Sequence, residues 1–317
     1  MTPAAQPPVA QSPVVAEVVR SGFVESRHCG RVVALAADGT PVLEIGDVNA
    51  PIFSRSSLKP LQALACLRAG WQPNDDAEVA IACASHSGED AHLVVVRRIL
   101  DSAGLDVGDL QNTPDWPLNV DAANALIRAG QGKDALHQNC SGKHAAMLAT
   151  CIANGWSTDS YRDPQHPLQL AIRATVEDLC GEDVAATGVD GCGAPVFATS
   201  LLGLARAFAR LASMPVADAM RRHPDLVGGT GRDVTDLMRA ADGMVAKDGA
   251  EGVYAAALPD GRAAAVKIDD GAGRARRPVL AAALERLGVE PAATAALRDV
   301  PVLGHGEPVG CVRVALG

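Results

Sequence analysis

The stretch Ser54-Arg55-Ser56-Ser57-Leu58-Lys59-Pro60 sets a hydroxyl and an amine three residues apart at the point where a helix begins. Downstream, Leu61, Leu64, Ala65 and Leu67 recur with helical spacing as far as Gly70, and Pro60 falls in the first turn, the one place a helix tolerates it. Ser56 and Lys59 therefore share a face. Neighbours at i and i+3 lie about 5–6 Å apart at Cβ, so a neutral amine at 59 reaches the oxygen at 56 and takes its proton. The positive end of the helix favours a developing alkoxide there. This is Ser-x-x-Lys chemistry; the plainer alternative is a serine cap beside a solvated lysine.

Working outward, composition sets limits. The 317 residues are 48% hydrophobic and 21% charged, enough for a substantial core. A net charge of -9 with dispersed basic residues argues against nucleic acid as a partner. No apolar run approaches the roughly 20 residues that span a bilayer. Residues 1–13, rich in Pro, Ala and Gln, lack the pattern of a signal peptide and read as a disordered tail before a single domain, 14–317, with a sheet lobe and a helical lobe. A cytoplasmic location is expected, and the irregular spread of eight cysteines (29, 66, 83, 140, 151, 180, 192 and 311) fits reduced thiols.

Val14–Val24 and 31–48 read as strands, the latter folded at Asp38-Gly39, a turn dipeptide favoured in tight hairpins. Late in the chain Val253–Leu258 and Ala263–Ile268 flank Asp260-Gly261 as a second hairpin, a helix follows over Val279–Leu287, and Gly310–Leu316 closes as a strand. Helical patterns fill the middle. The expected fold class is α+β, an antiparallel sheet built from both chain ends with flanking helices. An N-terminal hairpin, a Ser-x-x-Lys helix and a late strand carrying Lys267 are together similar to the serine β-lactamase and glutaminase-like fold, and fold alone does not give function.

A second helix start repeats the layout of the first. In Gln138-Asn139-Cys140-Ser141-Gly142-Lys143-His144, positions 140, 143 and 144 converge above one turn, where a metal or a substrate could sit; a buried cysteine beside a surface Lys and His is the alternative. Val189-Asp190-Gly191-Cys192-Gly193-Ala194-Pro195 surrounds a cysteine and an aspartate with small residues, suiting close backbone approach. Val227-Gly228-Gly229-Thr230-Gly231-Arg232 lacks the Gly-Lys-Ser/Thr ending of a phosphate loop and reads as a turn, with Arg232 a candidate anion contact.

Together with Ala84-Ser85-His86-Ser87-Gly88-Glu89, these blocks resemble the Rhizobium-type, or class 3, L-asparaginases, in family order and over roughly residues 20–317. The resemblance implies hydrolysis of the side-chain amide of L-asparagine by two Ser-Lys pairs, Ser56 with Lys59 and Ser85 with Lys267. Ser85 is preferred to Ser87 for the second serine. It also implies Arg55 and Asp190 as anchors for the substrate's carboxylate and amine respectively, His144 as a substrate contact or a support to the metal, and Zn2+ held by Cys140, Lys143 and Cys192. Spacing alone would favour His144 over Lys143 as ligand, since lysine must first lose its proton. A homodimer is the family habit. The alternatives are a glutaminase or other small-amide hydrolase of the same fold, and a zinc-binding regulatory protein without catalysis.

Overall fold

Strand β2 (Phe23–Leu35) is thirteen residues long because its two halves serve different neighbours. A computed structural model of the chain describes residues 11–316. In it the first half of β2 pairs antiparallel with β1 (Val14–Arg20), and the second half pairs with β3 (Pro41–Ile45) on one edge and β9 (Ala263–Ile268) on the other. Adding β7 (Val245–Asp248), β8 (Val253–Ala257), β10 (Pro301–Gly304) and β11 (Glu307–Val314) gives the order β10-β11-β1-β2-β9-β8-β7, antiparallel throughout. The sheet is thus built from both ends of the chain, with helices inserted between, as expected.

The centre of the sheet is thin by composition. Ala255, Ala256 and Ala257 on β8 lie against Ala265, Ala264 and Ala263 on β9, all fully buried. Such short side chains let two helices, Leu201–Leu211 and Gly273–Arg286, pack closely on β2, β8 and β9. The first of them buries Leu201, Leu204, Ala205, Phe208 and Leu211, one stripe at helical spacing. A second lobe packs α1 (Lys59–Arg68), α2 (Asp76–Ala82), α3 (Asp90–Ser102), Ser141–Asn154 and Pro167–Cys180 against one another. The 3-10 turn Arg55–Leu58 joins the lobes, touching β7 and β8 on one side and α1 on the other.

Several expected boundaries move. The strand expected over Val14–Val24 breaks at Ser21-Gly22, both at positive φ, and its continuation runs as β2 through Glu25-Ser26-Arg27-His28, whose alternation is hidden because both faces are polar. The helix expected over Val279–Leu287 begins at Gly273 instead, with Pro278 inside it. Five strands were not anticipated: β7, β10, and the small sheet β4-β6-β5 formed by Pro51–Phe53, Pro195–Ser200 and Ala186–Val189. Of the tail expected over 1–13, residues 1–10 lie outside the described residues, while Pro13 O accepts a hydrogen bond from Gly30 N–H at 3.0 Å. All eight cysteines are free thiols. No helix among the described residues is long and apolar enough to cross a membrane.

Candidate active site

Lys59 is the first residue of α1 and is 1% exposed. A buried amine is costly unless its N–H groups find acceptors, and here they do: Nζ lies 2.6 Å from Ala84 O, 3.4 Å from Asn139 O and 3.1 Å from Ser85 Oγ. Two carbonyls take two N–H groups, so the third direction of the nitrogen faces a hydroxyl. An ammonium donates to that hydroxyl and a neutral amine accepts from it. The lysine of the Ser-x-x-Lys stretch is thus bonded to Ser85, on the corner after α2, and not to Ser56 one turn back. Ser87 instead donates to Gly228 O at 3.0 Å, so of the two serines on this corner Ser85 faces the amine.

The corner is held by a residue that the sequence reading passed over. Gly88 N–H donates to His86 Nδ1 at 3.1 Å, which leaves the ring proton on Nε2, donated to Ser141 Oγ at 2.8 Å. Burial first, then the charges of His92 and Lys59, hold His86 well below the ordinary histidine pKa. A neutral imidazole thereby ties the Ser85 corner to the start of the helix Ser141–Asn154.

Lys267 is not brought into this cluster. It sits on β9 beside Arg31 and Val253, and its Nζ donates to Glu251 O at 2.6 Å and to Ile268 O. The lysine that does arrive is Lys247 on β7, fully buried, whose Nζ donates to Asp248 O at 2.7 Å and Asp248 Oδ1 at 2.6 Å. Lys247 pairs with Ala255 and Ala255 with Ala265, so Lys267 stands two strands and two residues away, about 12 Å at Cα from strand spacing and rise. Burial pulls Lys247 down to about 8, against the opposing pull of Asp248 and with help from Lys59 and Arg232. Asp248 also pairs with Arg232 at 3.0 Å and Arg276 at 3.2 Å, and Arg232 Nη1 donates to Ser85 O at 3.2 Å. Lys59, Ser85, Arg232, Asp248 and Lys247 thus form one chain of contacts. Gly249 lets it close: a Cβ there would lie 2.8 Å from Ser54 O and 2.9 Å from Ser57 Oγ. The Lys247-Asp248-Gly249 spacing, Lys-x-Gly, was the signal available in the sequence.

Beside Ser56, Arg55 takes φ 51°, a left-handed conformation uncommon for a residue other than glycine. It is held there by Asp190, whose Oδ1 accepts from Arg55 Nε at 2.8 Å and from Gly191 N–H at 2.9 Å. Burial would raise the Asp190 pKa, but Lys143 and Arg55 outweigh it and lower the value. The two residues expected to anchor substrate are therefore engaged with each other.

Cys140 and Cys192, from opposite ends of the middle region, meet in one buried cluster with Ala194. Lys143 Nζ lies 3.2 Å from Cys192 Sγ. The neighbouring Cys140 thiol and the Lys143 charge together outweigh burial and hold Cys192 well below the ordinary thiol range, while Cys192 and then burial push Cys140 up; the Cys140 thiol donates to Asn139 Oδ1 at 3.1 Å. Burial disfavours the Lys143 ammonium, yet Cys192, Cys140 and Asp190 hold its pKa above the ordinary value. His144, fully buried, lies 2.7 Å from Tyr161 Oη through Nδ1, and its Nε2 has no hydrogen-bond partner. Among the described residues no group of three or more His, Cys, Asp or Glu is placed to hold a metal. The candidate set reaches three only through Lys143. Two sulfurs and an amine do suit zinc, and the 3.2 Å Nζ–Sγ separation is near the edge of about 3.6 Å in a tetrahedral N–Zn–S unit.

Residues 16–314 match the family described as L-asparaginase II. Two solved structures are similar in outline: a beta-lactamase from Mycobacterium bovis (14% identity, 84% of this chain and 93% of that chain, TM-score 0.36) and a simvastatin synthase mutant from Aspergillus terreus (11% identity, 85% and 92%, TM-score 0.39). No curated protein matches the sequence.

Proposed function

From the premise that this chain belongs to the L-asparaginase II family and is an amidohydrolase of that kind, we propose that it releases ammonia from the side chain of L-asparagine by Ser-Lys catalysis. Ser56 Oγ attacks the amide carbon, and its proton passes to Lys59 and on to the departing ammonia; water then cleaves the ester and frees L-aspartate. Ser85 relays protons between Lys59 and the substrate nitrogen, and Lys247, not Lys267, supplies the second amine. The single observation that carries this reading is the buried Lys59 Nζ, placed between two carbonyls and the Ser85 hydroxyl within one turn of Ser56.

Cys140, Lys143 and Cys192 would hold Zn2+, which when bound supplies a fixed positive charge beside the substrate. Lys143 and Cys140 must each give up a proton to ligate. His144 Nε2, buried without a partner, is the group on this wall free to bond a substrate oxygen.

The test is ammonia release from L-asparagine, run beside L-glutamine. Ser56→Ala should lower kcat/KM by about 10³-fold or more with the melting temperature unchanged, while Ser85→Ala should cost about 10²–10⁴-fold, the range of a lost proton relay. Full activity in Ser56→Ala would end the nucleophile assignment. Faster turnover of glutamine than of asparagine would move the substrate to the longer amide.

A further inference from the structure

The five-residue turn Asp190–Ala194 is gripped by two arginines, and only one of them is engaged by an acid. Arg55 Nη2 lies 3.9 Å from where a Cβ on Gly191 would stand, and its Nε is spent on Asp190. On the other side Arg162 meets Gly193 end-on through Nη1. A methyl group at 193 would collide with Arg162 Nη1 and stand 3.5 Å from Cζ, so a glycine, already needed for φ 85°, also makes room for the guanidinium. Arg162 Nε donates to Gln111 Oε1 at 3.1 Å, which fixes the plane of the fork. Gln111 in turn donates its N–H to Tyr161 Oη at 3.2 Å, and Tyr161 Oη meets His144, so the arginine belongs to the framework that positions the unpartnered His144.

Among the described residues no carboxylate pairs with Arg162, and neither Nη bonds a protein acceptor; the side chain is half-buried. Gly191 and Gly193 are two residues apart, at most about 7 Å between Cα atoms. Arg162 therefore reaches the same short turn as Arg55, the neighbour of Ser56. A guanidinium held by its Nε, with both Nη groups free, matches a carboxylate in two parallel hydrogen bonds.

We propose that Arg162 is the specificity residue that receives the free α-carboxylate of the amino-acid substrate, the role expected of Arg55. Arg55 instead holds Asp190 in place. The inference rests on the amidohydrolase reading of the site, and its test separates the two.

With L-asparagine, Arg162→Met should raise KM about tenfold or more and leave kcat within about threefold. With L-asparaginamide, which lacks the carboxylate, wild type and variant should share one KM. Added guanidinium ion should restore part of the affinity to Arg162→Ala. Calorimetry supplies a readout without turnover: wild type should bind L-aspartate about tenfold or more tighter than Arg162→Met does, and both should bind L-isoasparagine alike. Wild type that hydrolyses asparagine beside an Arg162→Met of equal KM, or of reduced kcat at unchanged KM, overturns the Arg162 assignment alone. Wild type that neither hydrolyses asparagine nor binds L-aspartate removes the amidohydrolase reading and this inference together.

Discussion

At the scale of single residues, the chemistry turns on how a buried amine is kept. Lys247 has no solvent contact, and it is flanked by Asp248 on its own strand, Lys59 on α1 and Arg232 on the glycine-rich turn. With a pKa near 8, its neutral share grows tenfold per pH unit below that value and levels off above it. A relay that uses this amine as proton acceptor should therefore show kcat/KM rising with a slope of about one up to pH 8 and flat beyond. Lys247→Gln should lower activity and remove that limb, whereas Lys267→Gln should leave the profile as in wild type. Stopped-time ammonia assays across pH 6–10 distinguish the two lysines. The choice between them was hard to make from sequence, because each follows a short apolar run and precedes an Asp-Gly-containing turn. Lys267 was assigned through the family resemblance, on a strand whose apolar run shows in the sequence, whereas the four-residue strand that carries Lys247 is too short to be read as one.

At the scale of elements, what was legible followed periodicity. The hairpins around Asp38-Gly39 and Asp260-Gly261 and the helix after Lys59 show their apolar spacing directly. The four-residue β7 is too short to show a period, and β6 is buried on both faces, so Pro195–Ser200 offers no alternation to read. The start of the helix Gly273–Arg286 was concealed by Arg274, Arg276, Arg277 and Pro278, since an apolar stripe begins only at Val279. The candidate site was legible as residue types and illegible as partners: Ser85 and Lys59 were both named, but that they bond each other depends on how α2 delivers Ala84 and Ser85 to the start of α1. Packing of the helix Ser141–Asn154 on α2 sets that delivery. A Cβ at Gly142 would run into Ile81 O and lie 2.9 Å from Ile81 C, a collision with backbone that no rotamer relieves. Gly142→Ala should cost about 1–3 kcal/mol, read as a lower urea midpoint at unchanged m. It should also reduce activity more than its stability loss explains, because Cys140, Lys143 and the Asn139 carbonyl all move with that helix.

At the scale of the whole molecule, the thiol pair links parts of the chain that share little else. Cys140 opens a helix of the helical lobe, and Cys192 sits in the turn between β5 and β6, the small sheet outside the main one. A metal held across them would act as a clamp on the folded state, worth about 2.7 kcal/mol at a free concentration one hundredfold above Kd. Stripping zinc with a chelator should therefore lower the melting temperature of wild type and leave that of Cys192→Ala unmoved; equal shifts in both proteins would show that the chelator acts elsewhere.

The placement of β1 between β2 and β11 also bears on how the protein is made. As the chain leaves the ribosome, the β1–β2 ribbon emerges with the outer edge of β1 bare, and β11, the strand that covers it, begins only at Glu307. At about 5–20 residues per second that edge stays open for on the order of half a minute, long enough to recruit a neighbouring nascent chain. Slower initiation, a cooler culture or added holdase should then raise the soluble yield more than any change at the catalytic residues.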